Sequence, residues 1–175
     1  DLGGNILKKE RFAYADTTTP LETVTYEYGD AAWRDKLTAV NGNDIAYDAI
    51  GNPLNDGTWT YTWQNGRQLQ KMQKPGVTAE FVYNADGLRV QKTVNGVATK
   101  YTLHGKNVVH MTSGTDELHF FYDAQNRPAV VVYNGMAYAY VKSLQGDIVA
   151  ILDESGNAVV SYGYDAWGAP LWCTG

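Results

Sequence analysis

The sequence predicts an all-β protein, an antiparallel meander of roughly a dozen short strands. Tyrosine and glycine are frequent, with 13 Tyr and 18 Gly in 175 residues. Tyrosine favours pleated strands, and glycine favours the tight turns between them. A short phrase, made of an aromatic residue, a polar turn and an apolar strand, also recurs along the chain. Because helical periodicity is almost absent, we expect hairpins to account for nearly all of the regular structure.

Composition narrows the class of protein. Hydrophobic residues make up 44% of the chain and charged residues 19%, which favours a folded chain over a disordered one. The formal net charge is −5 and Lys and Arg form no run, so we expect neither a nucleic-acid nor an anionic-lipid partner. No apolar stretch approaches the roughly 18 residues of a membrane span. With no linker or charge block to divide it, the chain is expected to form one repeat domain, 1–175.

The segment 30–40, DAAWRDKLTAV, is the one candidate for a helix. Trp33, Leu37 and Val40 follow a helical spacing, and Asp30 suits the N-cap position. A turn followed by a strand explains the same residues. Both interpretations stay open from the sequence alone.

From Tyr47 onward the chain alternates as strands do. Phe81 and Tyr83 have polar or small neighbours, NADG then turns the chain, and LRVQKTV alternates again. The NG pairs at 95–96 and 134–135 predict two-residue type I′ turns, because both central positions of that turn need a positive φ. Every second turn carries the aromatic phrase, so those turns are expected along one edge of the sheet.

The phrase has five clear copies: YDAIGNPL at 47–54, YNADGLRV at 83–90, YTLHGKNV at 101–108, YDAQNRPA at 122–129 and YDAWGAPL at 164–171. The aromatic residues that open it, or a looser version of it, lie 16 to 24 residues apart, which fits two strands and two turns per unit. They are Tyr28, Tyr47, Trp63, Tyr83, Tyr101, Tyr122, Tyr140 and Tyr164. We therefore expect an array whose units bury their faces against one another.

Each part of the phrase has a physical role. The polar residue after the aromatic accepts hydrogen bonds from backbone amides and closes the turn; this applies to Asp48, Asn84, Asp123 and Asp165. Glycines in the turns take the left-handed conformation, at 51, 66, 87, 105, 146 and 168. The aromatic rings are expected to stack on those of the next unit as a ladder across strands. The predicted site residues are therefore structural: Tyr47, Asp48, Gly51, Tyr83, Gly87, Tyr101, Gly105, Tyr122, Asp123, Tyr164, Asp165 and Gly168.

The phrases YDAIGNPL, YNADGLRVQKT and GDIVAILDESGNAVVSYGYDAWGAP resemble the YD repeats of the Rhs (rearrangement hot spot) family. The last of them is similar to the stretch that leads into the Rhs-associated core region. Each motif is weak alone, but seven or eight in register, closed by YDAWG, make the resemblance specific over essentially the whole chain.

This resemblance implies a curved sheet, or a segment of a spiral β-shell, built from YD-type β-hairpin repeats. It also implies a secreted or cell-surface, cell-wall-associated bacterial protein whose repeats enclose or deliver a C-terminal toxin. The implied partners are the remainder of the full-length chain and that toxin or cargo domain. Family members are usually far longer, so a fragment of a longer repeat protein is expected. Self-cleavage, which some relatives perform, is not carried over to these residues.

The acidic residues and the cysteine offer no coherent chemistry. Asp147, Asp153 and Asp165 are candidates for paired carboxylates, but each also occupies a strand-end or turn position where aspartate is common. DESGN at 153–157 lacks the alternating ligands of a calcium loop. Cys173 is the single cysteine, which excludes an intramolecular disulfide framework.

The histidines at 110 and 119 flank the turn SGTD and are expected to face each other on adjacent strands. Two histidines without a third ligand more often form a cross-strand pair than a metal site. We therefore expect no catalytic residue, no cofactor and no metal, and we predict that the chain is not an enzyme.

Two further expectations concern surfaces. Exposed aromatic side chains stack on sugar rings, so a carbohydrate-binding or adhesive module is the alternative function. It is distinguished from a scaffold by the faces that the tryptophans occupy, at Trp59, Trp63, Trp167 and Trp172. The outermost strands, expected near Leu7–Ala13 and Ala158–Tyr164, would present unpaired backbone groups, so the segment is expected to self-associate.

Overall fold

The structure is a computed structural model that describes residues 1–15 and 18–175. Within those residues all of the regular secondary structure is β-strand, which confirms the all-β prediction. The strands are β1 (Lys8–Phe12), β2 (Pro20–Glu27), β3 (Ala39–Val40), β4 (Asn43–Asp44), β5 (Ala46–Tyr47), β6 (Pro53–Asn55), β7 (Thr60–Gln64), β8 (Gln68–Lys74), β9 (Val77–Tyr83), β10 (Arg89–Val94), β11 (Val97–His104), β12 (Asn107–Ser113), β13 (Asp116–Tyr122), β14 (Pro128–Tyr133), β15 (Met136–Lys142), β16 (Ile148–Leu152), β17 (Ala158–Tyr164) and β18 (Pro170–Thr174).

The strands form two antiparallel sheets. One contains β1 to β4 and the other β5 to β18, both in chain order, so the predicted meander is confirmed. Among the described residues the fourteen-stranded sheet does not close, since β5 and β18 stand at its two ends. The strands outnumber the predicted dozen mainly because β3 to β6 have only two or three residues, too few to show alternation. The described residues include no helix long and apolar enough to span a membrane.

The chain divides into two compact units, Asp1–Phe81 and Val82–Gly175. In the first unit the helix considered for 30–40 is absent, and the alternative of a turn followed by a strand is correct. Asp30 Oδ1 accepts hydrogen bonds from the amides of Ala32 and Trp33, both at 3.0 Å. After the turn, Thr38 N donates to Glu27 O at 2.6 Å, and β3 then pairs with β2. Pairing with a neighbouring strand thus overrides a weak local helical pattern.

In the second unit the predicted NG turns are confirmed. Asn95 and Gly96 have φ values of 48° and 87°, and Asn134 and Gly135 have 47° and 85°. Asn134 is also hydrogen-bonded to the preceding hairpin. Its backbone amide donates to Glu117 O at 2.9 Å, and its side-chain Oδ1 accepts from Glu117 N at 2.8 Å. The turn between β14 and β15 therefore fixes the backbone of β13.

Very few side chains in the described residues are buried. In the part of the chain that the structure describes, the buried hydrophobic residues are Ala39, Ala79, Phe81 and Val131, and no large side chain is completely buried. Large apolar side chains such as Phe121, Val82 and Leu171 are exposed. Ladder hydrogen bonds and half-buried cross-strand pairs therefore contribute much of the stability that a thick core supplies in other proteins.

The two predicted outer strands have different outcomes. β1 stands at the end of the four-stranded sheet, within the predicted range Leu7–Ala13. The prediction for Ala158–Tyr164 is wrong, because β18 pairs with that strand and places Tyr162 opposite Cys173. The end of the large sheet is thus β18 itself, which the sequence analysis did not count as the outermost strand.

Candidate functional site

Six turns in the described residues share one hydrogen-bond pattern. The amide of the first residue donates to the carbonyl of the fifth, and the amide of the fourth donates to the carbonyl of the first, at 2.8 to 3.1 Å. Both bonds close a compact loop between antiparallel strands. The turns span 48–52, 84–88, 123–127, 143–147, 153–157 and 165–169.

The first side chain of each turn caps backbone amides, as the sequence predicts. The Oδ1 atoms of Asp48, Asn84, Asp123 and Asp165 each accept from the amides two and four residues farther on, at 2.8 to 3.1 Å. Asp153 does the same, at 2.9 Å to Ser155 N and Asn157 N. In the turn 143–147 the cap is Ser143, whose Oγ accepts from Asp147 N at 3.2 Å. The sequence analysis missed Asp153 and Ser143 as caps because no aromatic residue directly precedes them.

The fourth residue of each turn has a positive φ, which ordinary side chains resist. The predicted left-handed conformation is confirmed at glycines 51, 66, 87, 105, 146 and 168, with φ between 60° and 98°. Asn126 takes the same position in the turn 123–127, with φ 61°. Asparagine tolerates this conformation better than most residues, so YDAQN is the same turn without a glycine.

The turns that follow the aromatic residues lie along one edge of the sheet in each unit, because successive strands are antiparallel. These loops form what we call the turn row: 48–52 and 65–67 in the first unit, and 84–88, 105–106, 123–127, 143–147 and 165–169 in the second. Neighbouring members touch. In the first unit Asn52 Nδ2 donates to Gly66 O at 2.7 Å, and Arg67 Nη2 donates to Ile50 O at 3.0 Å. In the second unit the side-chain amide of Asn107, the first residue after the loop 105–106, is hydrogen-bonded to that of Asn126.

The aromatic residue before a turn donates a hydrogen bond to a backbone carbonyl of the neighbouring, preceding strand. Tyr122 OH donates to Val108 O at 2.8 Å, and Tyr164 OH donates to Ile148 O at 2.7 Å. Trp63 Nε1 makes the equivalent bond to Pro53 O at 2.7 Å. Each acceptor lies just after the preceding member of the turn row. The aromatic side chain therefore links its own repeat, by a hydrogen bond, to the strand that follows the turn of the preceding repeat.

Tyr47 also ties its turn to an earlier segment, with its hydroxyl donating to Leu37 O at 2.7 Å. For these tyrosines the link between repeats is thus a hydroxyl-to-carbonyl bond, where the sequence analysis expected ring-on-ring stacking. A close tyrosine pair occurs within a single strand, between Tyr162 and Tyr164, with ring centroids 6.3 Å apart.

The copy at 101–108 differs from the others. Tyr101 lies within β11, opposite Met111, and His104 pairs with Asn107 around a two-residue turn at Gly105 and Lys106. Tyr101 carries the Arg89 guanidinium over its ring, 5.8 Å from the centroid. It lines a groove of about 200 Å³, below the roughly 300 to 1,000 Å³ of typical small-molecule sites. The sequence of this copy resembles the phrase, but its turn has two residues and differs from the five-residue turns described above. The left-handed conformation predicted for Gly105 is present, with φ 60°, but it belongs to this two-residue turn.

The turn carboxylates are held as anions. Hydrogen bonding from the amide of the fifth turn residue, as the largest cause, keeps the pKa of Asp48, Asp123 and Asp153 below the usual 3.8. A general acid needs a raised pKa, so this environment works against that role. Asp153 lies at the opposite end of β16 from Asp147, and at the opposite end of β17 from Asp165. The topology therefore separates Asp153 from the other two candidate carboxylates.

The four tryptophans that the sequence analysis considers for sugar binding fall into two groups. Trp59 and Trp63 are half-buried. The Lys74 ammonium lies 4.6 Å from the centroid of the Trp59 ring, and Trp63 Nε1 donates to Pro53 O. Trp167 is 68% exposed and Trp172 is 52% exposed. The indole of Trp172 also covers Gly163 so closely that a Cβ there would overlap with it.

The hairpin of β12 and β13 brings the two histidines together, as expected. His110 and His119 pair directly across the strands, and their rings stack with centroids 4.6 Å apart. Glu117 joins them: its Oε1 lies 2.9 Å from His110 Nε2 and 3.4 Å from His119 Nε2. The sequence analysis missed Glu117. The E-x-H spacing within one strand is the available signal, because residues two apart share a face.

No protein-family model matches the sequence. Curated relatives do: over 142 residues the chain is 38% identical to the tRNA3(Ser)-specific nuclease WapA of Bacillus spizizenii and to the tRNA nuclease WapA of Bacillus subtilis. Each match covers 77% of this chain. Together with the repeated Tyr–Asp turns, this similarity decides the family. The chain belongs to the YD-repeat (Rhs) family.

The YD-repeat chain spans only 6% of the length of these WapA relatives. Its fold is similar to part of the Photorhabdus luminescens Tc holotoxin pore, in a structure with a TccC3 mutation, at a TM-score of 0.53 and 14% identity. That match covers 87% of this chain and 10% of the matched chain in that structure. In both comparisons this chain therefore matches one short part of a much larger protein.

Proposed function

We propose that this segment is a structural part of a β-shell in a larger bacterial YD-repeat protein, secreted or held at the cell surface, that encloses or delivers a C-terminal toxin. The observation that carries the proposal is the turn row. The polar groups of its turns and aromatic residues form hydrogen bonds of 2.7 to 3.0 Å with the neighbouring repeat. Such bonding extends by simple repetition, as a scaffold requires.

The thin core supports the same proposal. Phe81 is the largest of the buried hydrophobic residues among those described, while many large apolar side chains are exposed. A surface of this kind is typical of a protein that buries it against something else. We propose that the remainder of the full-length chain and its toxin or cargo domain supply that cover, and that 1–175 acts as one repeat domain.

We further propose that the segment carries no catalysis of its own. The nuclease activity in the names of the WapA relatives belongs to proteins of which this chain matches a small part. The turn aspartates support the proposal, since their carboxylates cap backbone amides and are kept ionised.

The first experiment incubates the purified 175-residue chain with total tRNA, beside a triple variant Asp147→Asn, Asp153→Asn, Asp165→Asn. We expect both to leave the tRNA intact. Cleavage by the unmodified chain that the triple variant lacks would overturn the non-catalytic role.

The second experiment tests the scaffold in the full-length protein by limited proteolysis. Tyr122→Phe and Tyr164→Phe each remove a bond between repeats, and we expect faster cleavage within the repeats and greater access to the cargo domain. Tyr138→Phe is the matched control, because the Tyr138 hydroxyl makes a long contact with Met136 Sδ, at 3.9 Å, within its own strand. Equal protection in all three variants would contradict a structural role for the turn row.

A carbohydrate-binding or adhesive function is the second candidate, and the exposure of Trp167 and Trp172 favours it. Sugar rings stack on open indole faces. A glycan array with the 175-residue chain tests it, with Trp167→Ala as the informative variant and Trp63→Phe as a half-buried control. Loss of glycan binding in Trp167→Ala alone would favour adhesion, and an empty array would remove this candidate.

A further inference from the structure

The hairpin of β12 and β13 places three metal-binding side chains on one face. His110 and His119 are directly opposite in the register, and Glu117 lies two residues before His119 on the same strand. Side chains two apart on a strand point to the same face, so all three converge. We propose that His110, Glu117 and His119 form a binding site for a divalent transition-metal ion of the zinc class.

The distances fit such an ion. Both histidine Nε2 atoms approach the same carboxylate oxygen, Glu117 Oε1, at 2.9 and 3.4 Å. Zinc binds nitrogen and oxygen ligands at about 2.0 to 2.1 Å, which places neighbouring ligands of a tetrahedral site about 3.3 Å apart. All three ligand atoms lie within 4.8 Å of one another, so small side-chain rotations complete the site.

The ligand set determines the class of metal. Two imidazole nitrogens and one carboxylate oxygen suit zinc, copper, nickel and iron, whereas magnesium and calcium prefer oxygen ligands alone. Three protein ligands leave at least one coordination position for water. The side chains are also reachable from solvent, with exposed fractions of 30% for His110, 48% for His119 and 56% for Glu117.

The backbone beneath the site is already fixed. Glu117 exchanges hydrogen bonds with Asn134, through its amide to Asn134 Oδ1 at 2.8 Å and through its carbonyl from Asn134 N at 2.9 Å. The turn between β12 and β13 is short, with Gly114 at φ 61° and Ser113 paired with Asp116. Little backbone ordering therefore remains for metal binding to impose.

The test titrates the untagged 175-residue chain with Co²⁺, whose visible absorption reports its coordination geometry, and then displaces it with Zn²⁺. We expect one equivalent to bind. We expect His110→Ala, His119→Ala and Glu117→Ala each to weaken binding by roughly tenfold or more. Thermal melts without metal establish that each variant is folded before its affinity is compared.

The chain provides matched controls. His104→Ala removes the third histidine, at the end of β11, and Cys173→Ser removes the exposed thiol. Both variants should bind like the parent chain, and a large excess of Mg²⁺ should not compete. Binding that is lost equally in His104→Ala or Cys173→Ser, or that persists in a His110→Ala, His119→Ala double variant, overturns the proposal. Absence of Co²⁺ binding by the parent chain overturns it as well.

Discussion

The Tyr122 hydroxyl donates a 2.8 Å hydrogen bond to the carbonyl oxygen of Val108, fourteen residues earlier in the chain. This bond joins the end of β13 to the start of β12, just beyond the preceding member of the turn row. The Tyr164 hydroxyl repeats it with Ile148 O, at 2.7 Å. The tyrosine of the repeat phrase therefore acts through its hydroxyl as well as its ring, which makes phenylalanine an informative replacement.

Replacement of Tyr122 by phenylalanine should destabilise the chain by about 1 kcal/mol, because a half-buried carbonyl loses its partner while the ring stays. Tyr164→Phe should have a similar effect. Urea unfolding followed by circular dichroism measures both. Tyr138→Phe should differ little from the parent chain, because the Tyr138 hydroxyl makes only a long, weak contact of 3.9 Å with Met136 Sδ in its own strand. Equal stability of all three variants would show that the hydroxyl bonds are incidental.

Gly163→Ala should displace the Trp172 indole, because the added Cβ would overlap with that ring. We expect a shift of tryptophan fluorescence to longer wavelength and frayed pairing between β17 and β18. Gly156→Ala is the comparison: its φ is 81° but its Cβ meets nothing within 4 Å, so only backbone strain of about 1 kcal/mol is expected. An unchanged emission spectrum in Gly163→Ala would contradict the observed packing.

Acid should weaken the fold through the turn aspartates. Asp48, Asp123 and Asp153 have a lowered pKa when folded, chiefly because backbone amides bond their carboxylates. Their contribution is therefore present above the unfolded value near 3.8 and is lost as the pH falls through the lower folded value. Thermal melts between neutral pH and pH 2 should show this loss.

Asparagine provides the control, because Asn84 caps a turn of the same type, 84–88, with a side chain that does not titrate. The triple variant Asp48→Asn, Asp123→Asn, Asp153→Asn should therefore be less sensitive to acid than the parent chain. Identical acid profiles for the two proteins would assign the acid response to other carboxylates.

Alkaline titration should reveal Tyr61. Burial, followed by its 2.6 Å hydrogen bond to Asp56 Oδ2, raises its pKa from 10.0 to about 12. Because the folded state holds this proton more tightly, the associated stability is present below pH 10 and is lost as the pH rises toward about 12. Burial also raises the pKa of Tyr47, Tyr122 and Tyr140, so the readout is the part of the late near-ultraviolet titration that moves to lower pH in Asp56→Asn. No change in that variant would show that Asp56 is not responsible.

The segment should self-associate through β18, at the end of the large sheet, where all five residues are exposed. Unpaired backbone groups and the exposed Leu171 and Trp172 favour pairing with a second copy. Sedimentation velocity should show concentration-dependent dimers that Leu171→Lys reduces. Leu144→Lys, at an exposed turn residue away from this strand, is the control. A monomer at all concentrations would contradict this prediction.

Turns were predictable from the sequence because their chemistry is local. The positive φ values at Asn95–Gly96 and Asn134–Gly135, and the capping role of Asp48 and Asp165, depend on about five consecutive residues. The order of the strands followed as well, since short turns join antiparallel neighbours. The YD repeats are local motifs too, so they could be identified in the sequence, and the family with them.

Tertiary structure decided whatever depends on pairing between distant residues. Segment 30–40 is a turn and a strand because Thr38 bonds to Glu27, and Ala158–Tyr164 is covered because β18 pairs with it. The phrase at 101–108 forms a different turn because the strand pairing places Tyr101 inside β11. Glu117 joins His110 and His119 only through the register of one hairpin, and a shift of one residue would turn its side chain to the other face. The alternation of residues in the sequence shows that strands exist, whereas register and burial, which set the contacts, emerge only when the strands pair.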